Sequence, residues 1–150
     1  MNYVFDTNIV LFYLKNDAIK AEIEERFAPF AEGNSVIVSV ATVAEIQSIA
    51  LQRKWGKSRL AAFADFFETT VIVEVRYDAL VKLYAQIDAF SQGKISSEDG
   101  QQLGTSARNM GKNDLWIAAT AALTDAVLLT SDQDFTHLDE VFITVELIER

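Results

Sequence analysis

Five carboxylates fall at the ends of apolar runs or near the starts of helical patterns. Asp6 ends the run Tyr3-Val4-Phe5, Glu45 lies in "SVATVAEI", Asp114 opens "NDLWIAATA", and Asp132 and Asp134 follow "VLLT" in "LLTSDQDF". An unpaired buried carboxylate costs several kcal/mol. Each acid has a local explanation. Asp6 or Asn8 suits a helix cap, as do Asn113 and Asp114. Thr42 and Glu45 have capping-box spacing, and "SDQD" is ordinary turn composition.

The conjunction is harder to explain by capping. Ser, Thr and Asn cap helices without mutual repulsion, whereas carboxylates about 6 Å apart repel by roughly 3 kcal/mol per pair at an effective dielectric of 20. Asp6, Glu45, Asp114 and Asp132 together therefore call for a cation or for retained protons. Oxygen donors alone favour a hard divalent ion, Mg²⁺ or Mn²⁺, over zinc. With no cysteine and one histidine, His137, a histidine-based metal site and a Cys-His nucleophile pair are excluded. His137 is expected at the surface. Acids around such an ion suit phosphoryl chemistry. The hydroxyls of Thr7, Thr130 and Ser131 are placed to orient the carboxylates. Asn8 and Asn113 are placed to do the same or to touch substrate.

The elements that must position these acids alternate along the chain. Short apolar runs at Tyr3–Phe5, Val36–Val38, Thr70–Val75, Ala126–Thr130 and Val141–Val145 read as strands covered on both faces. Helical patterns fall at Asn8–Leu14, Ala18–Phe30, Val40–Trp55, Ser58–Phe67, Asp78–Phe90 and Asp114–Leu123. The last is rich in alanine and apolar nearly all round, as a helix packed close on a sheet would be. Strand–helix alternation predicts an α/β fold with a largely parallel sheet. In such sheets ligands bind beyond the carboxyl ends of the strands, where these acids lie. Ser91–Lys112, with four glycines among polar residues, reads as a long, partly helical, mobile excursion of the kind that is often functional.

At 150 residues, half of them hydrophobic, the chain suits one domain with a substantial core. No leader pattern and no apolar run of about 18 residues is present, so a soluble, cytoplasmic protein without membrane attachment is expected. A net charge of −9 disfavours nucleic-acid binding by phosphate contacts alone. A nucleic-acid ligand then needs divalent cations and local basic groups, and the acidity also suits a basic protein partner. The one concentrated basic patch is "RKWGKSR" (Arg53, Lys54, Trp55, Lys57, Arg59), where Trp55 stacks on a base or the cations simply end a helix. Arg108 and Lys112 stand nearer Asp114 and are better placed to touch a phosphate.

"VFDTNIV", "SVATVAEI", "KNDLWIAATA" and "LLTSDQDF", in this order, resemble the PIN domain, and within it the VapC-type toxins of bacterial toxin–antitoxin pairs. The resemblance spans essentially the whole chain. It implies a three-layer α/β/α fold on a central, mostly parallel five-stranded sheet and a single nuclease domain over residues 1–150. The implied activity is Mg²⁺- or Mn²⁺-dependent endoribonuclease cleavage of RNA. Asp6, Glu45, Asp114 and Asp132 would carry the catalytic acids, Asp6 and Asp114 the metal. Thr130 or Ser131 would be the accompanying hydroxyl, Asp134 an outer partner or substitute for Asp132, and Arg108 and Lys112 RNA contacts. It further implies a homodimer inhibited by a cognate antitoxin. The excursion departs from the family pattern in length and glycine content. A PIN nuclease of RNA processing is the alternative within the family. A haloacid-dehalogenase-like phosphatase would need an aspartate where Asn8 stands, and a receiver-like module an aspartate within Val73–Arg76, where only Glu74 is acidic.

Overall fold

The computed structural model describes residues 1–149. Five strands, β1 (Asn2–Phe5), β2 (Ser35–Ser39), β3 (Val71–Val73), β4 (Val127–Thr130) and β5 (Thr144–Leu147), form one sheet in the order β3-β2-β1-β4-β5. Every pairing is parallel, with Val4 opposite Ile37 on one side and Leu128 on the other. The crossovers carry α1 (Thr7–Leu14), α2 (Ala18–Phe27), α3 (Val40–Gln52), α4 (Lys57–Glu68), α5 (Asp78–Ser91) and α6 (Lys112–Leu123), and a 3-10 helix (Gln133–Leu138) joins β4 to β5.

Strand residues alternate between two cores, which explains why the strands read as continuous apolar runs. Tyr3, Phe5, Val36, Val38 and Leu129 face α1–α4, packing on Ile9, Tyr13, Ile23, Ile46 and Phe67. Val4, Ile37, Val73 and Leu128 face α5 and α6, packing on Leu80, Ile87, Phe90, Ile117 and Ala118. The alanines of α6 (Ala118, Ala119, Ala121) are wholly buried, and their small side chains let this helix lie close to the sheet, as its composition predicts. No helix among the described residues is long and apolar enough to cross a membrane.

Several element ends differ from the sequence reading, each for a local reason. α2 stops at Phe27 rather than Phe30 because Ala28, which precedes Pro29, is driven out of the helical region and adopts φ 43°. β3 starts at Val71 because the Thr70 amide and hydroxyl both bond back to the Phe67 carbonyl. Val141 and Phe142 close the 3-10 helix by donating to the Leu138 carbonyl. The last strand therefore runs over Thr144–Leu147, and the apolar stretch from Val141 serves as core packing. The excursion between α5 and α6 contains no helix.

Capping also differs. α1 is capped by Asp6 and α3 by Ser39, whose hydroxyl accepts from the Ala41 amide at 3.1 Å. Thr42 is not a cap: it is fully buried inside α3 and bonds to Thr7. α6 begins at Lys112 after Gly111, so Asn113 and Asp114 lie in its first turn. Ser39→Ala is expected to destabilise the protein by about 1 kcal/mol, read as a shift in urea midpoint. Glu45→Gln should leave that midpoint nearly unchanged or raise it, and a loss on the scale of the Ser39 variant would restore Glu45 to a capping role.

Candidate active site

The strand order reverses direction between β1 and β4, and the crevice beyond such a switch point is where open parallel sheets take ligands. Asp6 leaves β1 at this point and Asp132 follows β4 two residues after Thr130. α3, entered directly from β2, brings Glu45, and the first turn of α6 brings Asp114. The chain thus delivers acids from four elements to one edge of the sheet.

Asp6 is 5% exposed and held from two directions. Its Oδ1 accepts the Thr7 amide at 2.7 Å, and its Oδ2 accepts the Thr130 hydroxyl at 2.7 Å. The Thr130 oxygen in turn accepts the Asp132 amide at 3.0 Å, and Asp132 Oδ1 accepts the Asp134 amide at 2.9 Å. A continuous relay of hydrogen bonds therefore links Asp6 through Thr130 to Asp132 and Asp134. On the other side the Thr7 hydroxyl donates to Thr42 at 3.2 Å, tying α1 to α3.

The electrostatics record how closely the acids stand. Burial lifts the Asp6 carboxyl above its ordinary range, and the bonds from Thr130 and the Thr7 amide oppose the rise. Glu45 is raised by burial and then by Asp6, with Asn113 and Thr7 near enough to stabilise its charge. Asp114 is pushed up to about 7, first by burial and then by Asp6, Asp132, Glu45 and Asp134. The other four acids thus all act on this one carboxyl. One oxygen each from Asp114, Asp132 and Asp134 lie within 4.8 Å of one another. Oxygen donors alone, crowded enough to hold a proton at neutral pH, fit a hard divalent cation.

Asp134 stands within this trio of oxygens rather than outside it. Both Asp6 oxygens already accept one bond, though a carboxylate has about four acceptor sites. Thr130, and not Ser131, is the hydroxyl bound to Asp6. Asn8 is exposed on α1, and Asn113 is exposed beside Glu45. Lys112 is exposed, whereas Arg108 is half-buried beside Asp134 and donates to the Gln133 carbonyl at 3.3 Å.

Two sequence expectations fail. Trp55 is buried against Phe63, with Arg59 5.3 Å from its ring centre, and only 9% of it is left exposed for stacking on a base. Its indole packs where the chain turns from α3 into α4, because the hydrophobic area of the ring outweighs the charge of its neighbours. His137 is half-buried rather than a surface residue and bonds to Ser91 at 2.7 Å. The sequence suggests only a capping role for Thr42 and gives no sign of its bond to Thr7, 35 residues away.

The sequence profile described as PIN domain matches residues 3–141. No curated protein matches the sequence. Among solved structures, a chain of VapBC2 from Rickettsia felis bound to a promoter DNA fragment aligns with TM-score 0.71 at 21% identity, covering 98% of each chain. VapBC-1 from nontypeable Haemophilus influenzae gives 0.70 at 22% identity, again over 98% of each. A toxin–antitoxin complex from Klebsiella pneumoniae gives 0.66 at 17% identity, over 99% of this chain and 98% of that one. At these identities the likeness is one of fold.

Two outcomes follow from the charge arrangement. Because folding raises the Asp114 value from 3.8 to about 7, the unfolded chain loses this proton first as pH rises. The group therefore lowers stability progressively between about pH 4 and 7, and the loss levels off above. In EDTA, Asp114→Asn should melt higher than wild type at pH 8 and equal to it at pH 3.5. An offset that does not grow with pH would contradict the crowding of the acids. Thr130→Val should cost about 1–3 kcal/mol by orphaning the Asp132 amide and one Asp6 oxygen, whereas Thr130→Ser retains the bond. Equal chemical stability of the valine and serine variants would dismiss the relay.

Proposed function

The chain belongs to the PIN domain family, and on that premise we propose that it is a divalent-metal-dependent endoribonuclease acting as the toxin of a VapBC-type pair. The observation that carries this reading is the Asp114 carboxyl, raised to about 7 by burial and four neighbouring acids at the sheet's switch point. Such repulsion is hard to retain in a fold unless a cation relieves it.

Asp6 and Asp114 would hold Mg²⁺ or Mn²⁺, with Asp132 and Asp134, whose oxygens crowd that of Asp114, completing the site. A cation there supplies a Lewis acid that polarises a phosphate oxygen and offsets the charge developing on the phosphodiester. The protein's own groups set the geometry. Thr130 and the Thr7 amide lock the Asp6 carboxylate in one rotamer, and the relay fixes Asp132 against it. Asn113 and Thr7 hydrogen-bond to Glu45 and would orient it to accept a proton from the attacking water. Arg108 offers the substrate a guanidinium at the edge of an otherwise acidic site, with Lys112 exposed nearby on α6.

In this reading the substrate is RNA, the protein is a cytoplasmic homodimer, and its regulator is a cognate antitoxin. The likeness to chains from VapBC pairs and a toxin–antitoxin complex supports that partner. A net charge of −9 suits a basic antitoxin segment that covers the acids. The purified protein should cut single-stranded RNA with Mg²⁺ or Mn²⁺, stop on adding EDTA, and lose at least about a hundredfold in kcat in Asp6→Asn, given the transition-state stabilisation at stake. Induction of wild type but not Asp6→Asn should arrest growth. Cleavage that survives both EDTA and Asp6→Asn would refute the assignment, and cleavage without growth arrest would favour an RNA-processing role.

A further inference from the structure

The 3-10 helix and the excursion meet at a buried polar pair that has no part in the acid relay. Ser91, the last residue of α5, is fully buried, and its Oγ lies 2.7 Å from His137 Nε2 and 3.4 Å from Met110 Sδ. Which of the two donates follows the imidazole tautomer, and either neutral tautomer makes this bond. The same serine fixes the excursion through its main chain, because its carbonyl accepts the Arg108 amide at 2.7 Å. Ser91 therefore joins the 3-10 helix to Arg108 through one residue.

Arg108 is placed to use that connection. It shares a cavity with Asp134, its Nη1 reaches the Gln133 carbonyl, and among the described residues it forms no ion pair. An unpaired arginine beside an acid cluster, in a chain of net charge −9, is available to an anion. Guanidinium matches phosphate in both charge and fork geometry.

We infer that the Ser91–His137 hydrogen bond is a positioning latch: it holds the end of the excursion on the 3-10 helix and so keeps Arg108 beside Asp134, where the guanidinium receives a phosphate of the RNA strand. The phosphate contact rests on the function proposed above, but the latch does not. Ser91 and His137 touch no substrate and act through Arg108. Burial and the nearby Arg108 hold the imidazole below its ordinary value, which keeps it neutral for the bond to serine.

The test uses the full chain, amide hydrogen exchange at Arg108, and steady-state cleavage of a single-stranded RNA oligonucleotide with Mg²⁺. His137→Ala and Ser91→Ala should speed exchange of the Arg108 amide by at least about tenfold and raise KM by about tenfold, the scale of one charged hydrogen bond, with kcat little changed. His137→Gln, whose amide reaches Ser91 as Nε2 does, should restore both. Arg108→Ala should raise KM equally, and adding His137→Ala to it should raise KM no further. Unchanged exchange in both alanine variants overturns the latch. Faster exchange with unchanged KM, or a double variant whose effects add, overturns the positioning of Arg108. If wild type leaves RNA uncut, the nuclease reading fails, and the exchange measurement still decides whether the latch exists.

Discussion

Everything at the site depends on keeping one carboxylate, Asp6, ionisable inside the molecule. Its position at the end of β1 takes it out of water, and burial raises its carboxyl above the usual range. Two short hydrogen bonds, from the Thr7 amide and the Thr130 hydroxyl, oppose that cost. Both donors are products of the fold. The first is the opening amide of α1, and the second is the last residue of the neighbouring parallel strand. The β1–β4 register, with Phe5 opposite Leu129, sets Thr130 beside Asp6. A slip of one residue would turn that hydroxyl to the other face of the sheet.

From this point the other acids fall into order. Thr130 passes the constraint to Asp132, and Asp132 passes it to Asp134 by capping the 3-10 helix. Asp114 enters from α6, where the first turn of a helix favours negative charge. The alanines of α6 set how near the sheet that turn can lie. Local capping and long-range electrostatics are therefore not rival explanations here: Asp6 and Asp132 cap helices and belong to the acid cluster at once.

Much of this was legible in the sequence, because Asp6, Asp132 and Asp134 follow apolar strand runs, Asp114 opens an apolar helix, and Glu45 lies in the helix entered from the second strand. The alternation of strands and helices, the parallel sheet and its acidic edge come from patterns of a few adjacent residues. What the sequence concealed depends on contacts between distant residues. Val141 and Phe142 look like strand because an apolar pair packing under a turn has the same composition. Trp55 sits among cations in sequence but against Phe63 in space. Thr42 and His137 each take meaning from a hydroxyl far along the chain, Thr7 in one case and Ser91 in the other. No periodicity announces such pairs.

On the proposed reading the crowded carboxylates are a cation site. Calorimetric titration of Mn²⁺ into the metal-free protein tests it most directly, run at pH 6 and pH 8 in buffers of different ionisation enthalpy. Since Asp114 holds its proton up to about pH 7, binding at pH 6 should release a proton and be weaker than at pH 8. Asp114→Asn should remove both the proton release and most of the affinity. Absence of binding at millimolar Mn²⁺, or binding that is unchanged by Asp114→Asn and indifferent to pH, would contradict the account.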